Sequence, residues 1–476
     1  FTTVKISTPS AIESVLPVEG WEENDKVWVE NLDANSNWGV YNKTSPWTNN
    51  DKLELEASKL SGNDNFGYTV DLDPDTAQVL YVGSPGSISG RGRAASFLRS
   101  STNTWNFATS FSASANNRIN SFGESITNGD GYLAIGAPDS VSGRGAVYIY
   151  KDGVHQQIIT HPSGTSSYYF GQSIAMSRDG IYLYISEPGN NTVYCYARQN
   201  ARVSRSEVIT GDGTSDTFTL GFDPGDADID VIITPILGTD DEQLPTIDYT
   251  VSGNDIVFDA GAIPALNEEL SVVQRSHYYK LIDTISGPAS TNFGINISTN
   301  RYGDTIAIGA NEREVNNVVK EGTTYIYHRT ITEFTTDGVR STYTAPDSFN
   351  TNYYRVTFNG TELVDGSDYY TVAPASVQFD AFGVPPIGQK LRFETNQFVL
   401  DQTITAENTG IVGQRFGQKV EMCGTGCNVY ITGPEYFTDP YQRGAVNRYL
   451  NVGRVFGVVT GRYTETINGV VTAVTP

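Results

Sequence analysis

The sequence has 476 residues, of which 18% are charged, and its 54 acidic against 31 basic residues give a net charge of −23. That balance argues against a nucleic-acid partner, which needs a basic face. No run of roughly 18 or more apolar residues occurs, so no membrane insertion is expected. The chain starts at Phe1 without a signal-peptide pattern, and we expect it to be a piece of a longer protein.

The first 62 residues contain strand-like segments, at Val4 to Ser7, Lys26 to Glu30 and Trp38 to Tyr41. None of these segments follows a Phe-Gly pair, although that pair opens every later repeat of the chain. We therefore predict that residues 1–62 supply the outer strands of a first repeat whose inner strands lie upstream or come from the C-terminus.

A unit that starts with Phe-Gly recurs five times after residue 62. In the second copy, alternating side chains at Tyr132 to Gly136 and Val147 to Tyr150 indicate half-buried strands, because a strand turns alternate side chains to opposite faces. Gly and Asn between the segments are typical of hairpins. The Gly after each Phe lacks a Cβ and permits close backbone approach. The five pairs are Phe66-Gly67, Phe122-Gly123, Phe170-Gly171, Phe293-Gly294 and Phe416-Gly417.

A fourth strand is predicted in four of the repeats, at Trp105 to Phe111, Gln156 to Thr160, Tyr279 to Ile285 and Phe398 to Ile404. The repeated unit resembles the FG-GAP repeat of integrin-α-type β-propellers, over roughly two thirds of the chain. This resemblance implies an all-β fold, a propeller of about six or seven blades when complete.

The spacing between successive Phe-Gly pairs is 56, 48, 123 and 123 residues, so two repeats carry extra segments of similar length. The extra segments resemble each other, and both are expected to form small β-sandwich-like modules. The predicted organisation is N-terminal strands at 1–62, propeller blades at 63–203, a first inserted module at 204–276, a blade at 277–329, a second inserted module at 330–396, and the last blade with C-terminal strands at 397–476.

The inserted segments also carry a resemblance of their own. The Gly211-Asp-Gly-Thr214 start and the Asp248-Tyr-Thr-Val251 strand are similar to modules of tailed-bacteriophage fibres and other virion proteins, as is the segment Asp25 to Tyr41. The resemblance implies a non-enzymatic structural or host-contact protein of a phage virion, of the tail, fibre or baseplate type. Its expected partners are other virion proteins or copies of itself, and a host-surface glycan or receptor.

Two other functions remain open at this stage. A secreted bacterial integrin-like adhesin or glycan-binding module would be extracellular. A propeller polysaccharide hydrolase or lyase is the third, although the sequence has no Gly-x-Ser-x-Gly or His-Glu-x-x-His motif to mark a catalytic site. No organic cofactor is expected.

Asp71, Asp73 and Asp75 resemble the start of the calcium loop of FG-GAP hairpins, in which carboxylates at alternating positions converge on one ion. Calcium at these three residues is the one metal prediction. Thr76 replaces the Gly of that loop and Val79 its closing acid, so a polar turn capped by Asp side chains is favoured.

The cysteines offer no zinc pattern. Cys423 and Cys427 flank a Gly-Thr-Gly turn, which leaves open either a disulfide across the hairpin or two thiols. Cys195 is expected to be a small buried apolar residue.

Overall fold

A computed structural model describes residues 26–30, 38–42 and most of 64–458. The gaps in this last range are 89, 102–103, 114–119, 163–167, 201–204, 223–228, 236–240, 244–247, 275–276, 316–319, 345–353, 359–360, 364–368, 373–375, 380–384, 396, 407–414, 425, 427, 434–444 and 453–454. The strand predicted at Val4 to Ser7, Cys427 and the chain after 458 lie outside the described residues. Within the described ranges, no helix is long and apolar enough to cross a membrane.

Five four-stranded antiparallel sheets, called blades 1 to 5, follow one another along the described part of the chain. Blade 1 is β3 Val70–Leu72, β4 Val79–Ser84, β5 Arg93–Arg99 and β6 Trp105–Phe111; blade 2 is β7 Ser125–Gly129, β8 Tyr132–Ala137, β9 Ala146–Lys151 and β10 Val154–Thr160. Blade 3 is β11 Ile174–Met176, β12 Tyr182–Glu187, β13 Thr192–Asn200 and β21 His277–Ser286; blade 4 is β22 Phe293–Thr299, β23 Thr305–Ala310, β24 Thr323–His328 and β32 Val399–Thr405. Blade 5 is β33 Val420–Met422, β34 Asn428–Gly433, β35 Ala445–Val452 and β36 Val455–Val458.

The first strands of consecutive blades contact each other, β3 with β7, β7 with β11, β11 with β22 and β22 with β33. Sheets whose inner strands meet in series around a common axis define a β-propeller, the fold that the Phe-Gly repeats predict. Helical structure in the described residues is limited to single turns at Ser140–Gly143 and Pro188–Asn190.

The blades stack face to face, which buries both faces of their middle strands. In β9, Val147 and Ile149 belong to the core shared with blade 3, whereas Tyr148 and Tyr150 belong to the core shared with blade 1. All four side chains are buried, so the half-buried strands expected from alternation are buried on both sides. Alternate side chains of the strand therefore face two different apolar interfaces, because each blade packs between two neighbouring blades.

The Phe-Gly pair forms a repeated junction between blades. Each Gly has a positive φ of 88° to 92°, a backbone region that residues with a Cβ seldom adopt. A Cβ on Gly123 would also lie 2.4 Å from the carbonyl oxygen of Arg93 in the preceding blade. Phe122 is buried and pairs in parallel with Gly92 of blade 1, and the same bridge joins Gly145 to Phe170 and Gly322 to Phe416. The repeated motif is therefore the contact that joins one blade to the next.

Two β-sandwiches interrupt blades 3 and 4 between the third and the fourth strand of the sheet. The first sandwich consists of β14 Arg205–Thr210, β15 Thr217–Thr219, β16 Ile229–Thr234, β17 Asp241–Gln243, β18 Tyr249–Ser252, β19 Asp255–Phe258 and β20 Glu269–Gln274. The second consists of β25 Ile331–Thr335, β26 Thr342–Thr344, β27 Tyr354–Phe358, β28 Thr361–Glu362, β29 Tyr369–Val372, β30 Ser376–Phe379 and β31 Lys390–Thr395.

The two sandwiches have the same strand order. The four-stranded sheets run β14-β20-β16-β17 and β25-β31-β27-β28, and the three-stranded sheets run β15-β19-β18 and β26-β30-β29. One apolar core joins the two sheets of each sandwich, around Val231 and Leu270 in the first and around Val356 and Leu391 in the second. The first sandwich contacts blade 2 through β16 and β10, and the second contacts blade 3 through β28 and β13. Each sandwich thus packs against the blade that precedes its own: the first, inserted in blade 3, contacts blade 2, and the second, inserted in blade 4, contacts blade 3.

A smaller compact unit comprises residues 1–54, 101–105 and 458–476. Its described residues are chiefly an antiparallel hairpin of β1 Lys26–Glu30 and β2 Trp38–Asn42, in which Trp28 is opposite Val40. Residues 26–30 and 38–41 were predicted as strands.

Candidate functional site

A central channel with a cavity of about 570 Å³ is lined by the first strands of all five blades. These strands all start at the Phe-Gly junction and end at a hairpin, so the lining side chains form successive layers. Glu124 and Lys419 lie where the strands begin, Asp71 and Glu421 lie further along, and Arg178 lies at the hairpins.

The first strand is the inner edge of each blade, and its exposed N–H groups need partners. Side chains from the preceding blade accept these hydrogen bonds. The backbone N–H of Asn128 donates to Asp71 Oδ2 (2.8 Å), that of Ile297 to Ser173 Oγ (3.1 Å), and that of Val420 to Asn296 Oδ1 (2.8 Å). The channel wall is thereby tied together from blade to blade, and the free edges are satisfied.

Sequence reasoning considered Asp71 only as a calcium ligand and missed the other channel residues, although a weak signal for them exists. The channel residues recur three and five positions after the Phe of each Phe-Gly pair. Their chemical type varies from blade to blade: the third position holds Thr69, Ser125, Ser173, Asn296 and Lys419, and the fifth holds Asp71, Thr127, Ala175, Ser298 and Glu421. A polar residue at either position after Phe-Gly would have predicted the channel wall.

Asp71 is the most perturbed carboxyl of the channel. Burial among protein atoms raises its pKa to about 7, and this effect outweighs the hydrogen bonds from the side chain and backbone of Asn128 and from Leu72 N–H, which act the other way. The negative charge of Glu421 adds to the rise. Asp71 keeps some contact with solvent because it faces an open channel, so a proton can reach it near neutral pH.

Two further carboxyls in the channel are perturbed in the same direction. Burial and the nearby charge of Asp139 raise the pKa of Glu124 to about 7, although Ser121 and Lys419 oppose the rise. Burial also raises the pKa of Glu421. The channel therefore holds three carboxyls that bind protons more tightly than free side chains do, and two of them titrate near pH 7.

The hairpin end of the channel is basic. Arg178 and Arg301 line the channel and also line a second cavity of about 630 Å³, which lies between the hairpins and the second sandwich. The backbone fixes both arginines, since Arg178 N–H donates to Arg301 O (3.0 Å) and Arg301 N–H to Gly424 O (2.8 Å). The channel thus carries three carboxyls along its strands and two arginines at the hairpins.

The structure does not bring the carboxylates of Asp71, Asp73 and Asp75 together. Asp71 accepts hydrogen bonds from Asn128 of blade 2, Asp73 Oδ1 caps its own turn by accepting from the N–H groups of Asp75 (2.9 Å) and Thr76 (2.8 Å), and Asp75 pairs with Arg178 of blade 3. Within the described ranges, no group of three or more His, Cys, Asp or Glu is arranged to hold a metal ion. The turn capped by Asp73 is the arrangement that the sequence favoured.

Cys423 belongs to the hairpin layer of blade 5. Its Sγ accepts a hydrogen bond from the N–H of Asn428 (3.1 Å), at the start of β34. Cys195 is buried in β13, where burial raises the pKa of its thiol well above the usual value. An apolar, protonated thiol suits the packing role that the sequence predicts for Cys195.

The sheets and the channel define this chain as a β-propeller protein with a polar, titratable axial channel. No protein-family model and no curated protein sequence matches the chain. Solved structures that are similar to it include a protein described as a 6-phosphogluconolactonase of Bacteroides fragilis (8% identity, TM-score 0.33, covering 93% of this chain and 91% of that one). Others are the periplasmic gluconolactonase of Pseudomonas aeruginosa (12%, 0.32, 88% and 89%) and the β-propeller domain of Myceliophteria thermophila Cps50 (9%, 0.32, 84% and 86%).

These similar structures correct one sequence expectation. The chain was expected to have no enzymatic activity, but several of the similar structures are enzymes by name. The expectation of a non-enzyme is therefore withdrawn. Identities of 8 to 12% with TM-scores of 0.32 to 0.34 assign no lactonase activity to this chain.

Proposed function

We propose that this chain is a structural or host-contact protein of a tailed-phage particle, in which the propeller is a platform for the two sandwiches. The observation that carries the proposal is the matched insertion of two sandwiches with one strand order at the same point of adjacent blades. A strand connection at the outer edge of a blade tolerates such an insertion, because its ends are close together and exposed.

We propose a phage particle because the sandwiches resemble modules of phage virion proteins and occur together with blades that resemble FG-GAP repeats. A rigid body that displays small β-modules suits assembly with other virion proteins or with copies of the chain, and contact with a host glycan or receptor. The net charge of −23 favours solubility and disfavours packaging against nucleic acid.

The test is to purify phage particles from the source that encodes this chain and to identify their proteins by mass spectrometry. Peptides from 205–274 and 331–395 should be found at a stoichiometry matching a structural component, and antibodies to them should label one part of the particle. Particles that lack these peptides would contradict the proposal and would favour the hypothesis of a secreted adhesin.

A second candidate function, acid–base catalysis, has one specific observation in its favour. The carboxyls of Asp71 and Glu124 have pKa values of about 7, the value that suits a general acid or base at neutral pH. A polysaccharide chain bound in the channel would meet both the acidic layer and the basic hairpin end.

The catalytic candidate is tested by release of reducing ends from host-surface polysaccharide. If the channel is catalytic, Asp71→Asn and Glu124→Gln should each lower the rate at least a hundredfold, which is typical for a lost acid or base. A variant at Asp212, in a turn of the first sandwich, serves as the control. No release by the unaltered chain would eliminate this candidate without affecting the virion proposal.

A further inference from the structure

The cavity at the hairpin end, called the arginine cleft, collects cationic side chains in a strongly acidic protein. Five of its lining residues are basic: Arg178, Arg198, Arg301, Lys390 and Arg392. Blades 3 and 4 supply the first three, and the last two come from β31 of the second sandwich. The cleft exists because the sandwich leans over the hairpins of the propeller.

Most of these cations are neutralised inside the cleft. Arg178 pairs with Asp75, and Arg198 lies 3.7 Å from Asp130. Arg392 pairs with Asp179 (3.1 Å) and Glu333 (2.9 Å), and Lys390 also pairs with Glu333. Carboxylates therefore neutralise four of the five cations, and these side chains mainly line the cleft: Arg178, Arg198, Lys390 and Arg392.

Arg301 differs from the others, because no carboxylate within the described residues pairs with it. Its Nη2 donates to the hydroxyl of Tyr302, its guanidinium lies 4.7 Å from the centre of that ring, and its Nε is buried without a hydrogen-bond partner. Because no described carboxylate pairs with this guanidinium, an anionic ligand in the cleft would gain a charge-assisted hydrogen bond from it without breaking an existing ion pair.

Tyr302 supplies the second half of the recognition surface. Its side chain is 47% exposed in the cleft and keeps one ring face beside the Arg301 guanidinium. An exposed aromatic ring with a polar tip next to a cation suits a sugar ring that bears an anionic group, since the apolar face of the sugar packs on the ring. A cleft of about 630 Å³ has room for such a ligand.

We propose that the arginine cleft binds acidic polysaccharide, with Arg301 pairing with a sugar carboxylate and Tyr302 packing against the sugar ring. Sulfated sugars share this chemistry and would use the same residues. The cleft lies beside the channel and shares Arg178 and Arg301 with it, so a bound chain would lead towards the channel mouth. This binding site stands whether or not the protein belongs to a phage particle.

The experiment measures calorimetric binding of polygalacturonate, dextran and inorganic sulfate to the full chain. Binding is measured at physiological ionic strength, where salt screens the repulsion from the protein's other acidic surfaces beyond about 8 Å. Polygalacturonate should bind, dextran should not, and sulfate should compete only at much higher concentration. Equal binding of dextran, no binding of polygalacturonate, or sulfate binding as tightly as the polymer would each overturn the proposal.

Variants locate the site. Arg301→Gln should weaken polygalacturonate binding at least tenfold, the effect of losing about one charge-assisted hydrogen bond, and Arg301→Lys should restore part of the affinity. Tyr302→Leu should weaken binding whereas Tyr302→Phe should not. The matched control is Arg313→Gln, because Arg313 also pairs with a tyrosine, Tyr325, but lies outside the cleft. Unchanged binding by Arg301→Gln, or an equal loss in Arg313→Gln, would overturn the assignment.

Discussion

The two sandwiches have one strand order but opposite chemistry on the four-stranded sheet. In the first, the central strand β20 places Ser271 opposite Val208 and Val273 opposite Ser206 and Asp230. In the second, the same register of β31 places Arg392 opposite Glu333, and Glu394 opposite Ile331 and Arg355. The positions of Val208, Ser271 and Val273 in the first sandwich therefore hold the charged residues Glu333, Arg392 and Glu394 in the second.

The environment of the two faces explains the difference. At the matched positions, Val273 of the first sandwich is only partly buried, whereas Glu394 of the second and its partner Arg355 have side chains that are 1% and 2% exposed. Glu394 accepts from Arg355 Nη2 (2.7 Å) and Nε (3.2 Å). Next to this pair lies Tyr182 of blade 3, whose ring centre is 3.5 Å from the Arg329 guanidinium. The second sandwich thus meets the propeller through buried charge.

The same sandwich module is therefore attached to the propeller in two ways, with and without a buried ion pair among the described residues. The first sandwich places β16 beside β10 and leaves most side chains of its edge strand β14 exposed. The second sandwich places β28 beside β13 and buries the Arg355–Glu394 pair. A buried ion pair adds little net stability, but its loss is costly because one charge stays behind. The second sandwich should therefore be the more sensitive of the two to changes in charge.

The largest expected effect comes from breaking the buried pair. Glu394→Ala should lower the free energy of unfolding of the second sandwich by about 3–5 kcal/mol, because Arg355 is left buried without its partner. The control Val273→Ala, at the matched position of the first sandwich, should cost about 1 kcal/mol. Urea titration followed by hydrogen exchange of peptides covering 354–358 and 229–234 measures both. Equal losses at the two positions would contradict the comparison.

The stability of the two sandwiches should also respond differently to acid. Burial alone would raise the pKa of Glu394, but the guanidiniums of Arg355 and Arg329 hold it below its usual 4.5. A carboxyl with a lowered folded-state pKa stabilises the fold above its unfolded pKa and loses that contribution as pH falls. Protection of β31 should therefore fall below pH 4.5, and Glu394→Gln should remove this dependence. Unchanged exchange of β31 down to pH 3 would refute this.

A smaller effect is expected from transferring a charged pair to the first sandwich. Val208→Glu with Ser271→Arg would place a cross-strand pair where the second sandwich has Glu333 and Arg392. The new pair would be largely exposed, so it should add only about 0.2–1 kcal/mol, as a double-mutant cycle would measure. A gain of several kcal/mol would show that the pair itself, without burial against a blade, distinguishes the sandwiches.

The smallest difference should come from a turn that the sandwiches share. Asp212 caps its turn by accepting from the N–H groups of Thr214 and Ser215, and Asp337 does the same with Val339 and Arg340. The hydroxyl and N–H groups of Ser215 and the N–H of Thr214 lower the pKa of Asp212, and the N–H groups of Arg340 and Val339 lower the pKa of Asp337. Because both turns are exposed, Asp212→Ala and Asp337→Ala should each shift the melting temperature only slightly and by similar amounts. Clearly unequal shifts would indicate that the two turns differ in ways that the shared geometry does not explain.

Local patterns in the sequence predicted the blades well. The Phe-Gly pairs located the junctions, and the strand predicted at Trp105 to Phe111 coincides with β6. Pro138 and Pro188 follow directly after β8 and β12, as expected for a residue that cannot donate to the sheet ladder. Each of these signals depends on residues that are close in the chain, which is why the sequence alone reveals them.

The site depends on distant residues, and the sequence did not predict it. Asp71 bonds to Asn128 across 57 residues, and Arg392 bonds to Asp179 across 213. Whether Asp71 turns towards a metal or towards the next blade is decided by the neighbouring strand, which local spacing does not specify. The arginine cleft likewise appears only once the second sandwich leans over the hairpins.

Buried charge attaches the second sandwich to the propeller, whereas, in the described residues, the first sandwich is attached without it. Protection of β31 and β20 against hydrogen exchange in the intact chain, compared at pH 7 and pH 3, is the decisive measurement. We expect β31 to lose protection at pH 3, where Glu394 becomes protonated, whereas β20 should change little. Equal loss in the two strands, or a greater loss in β20, would contradict it.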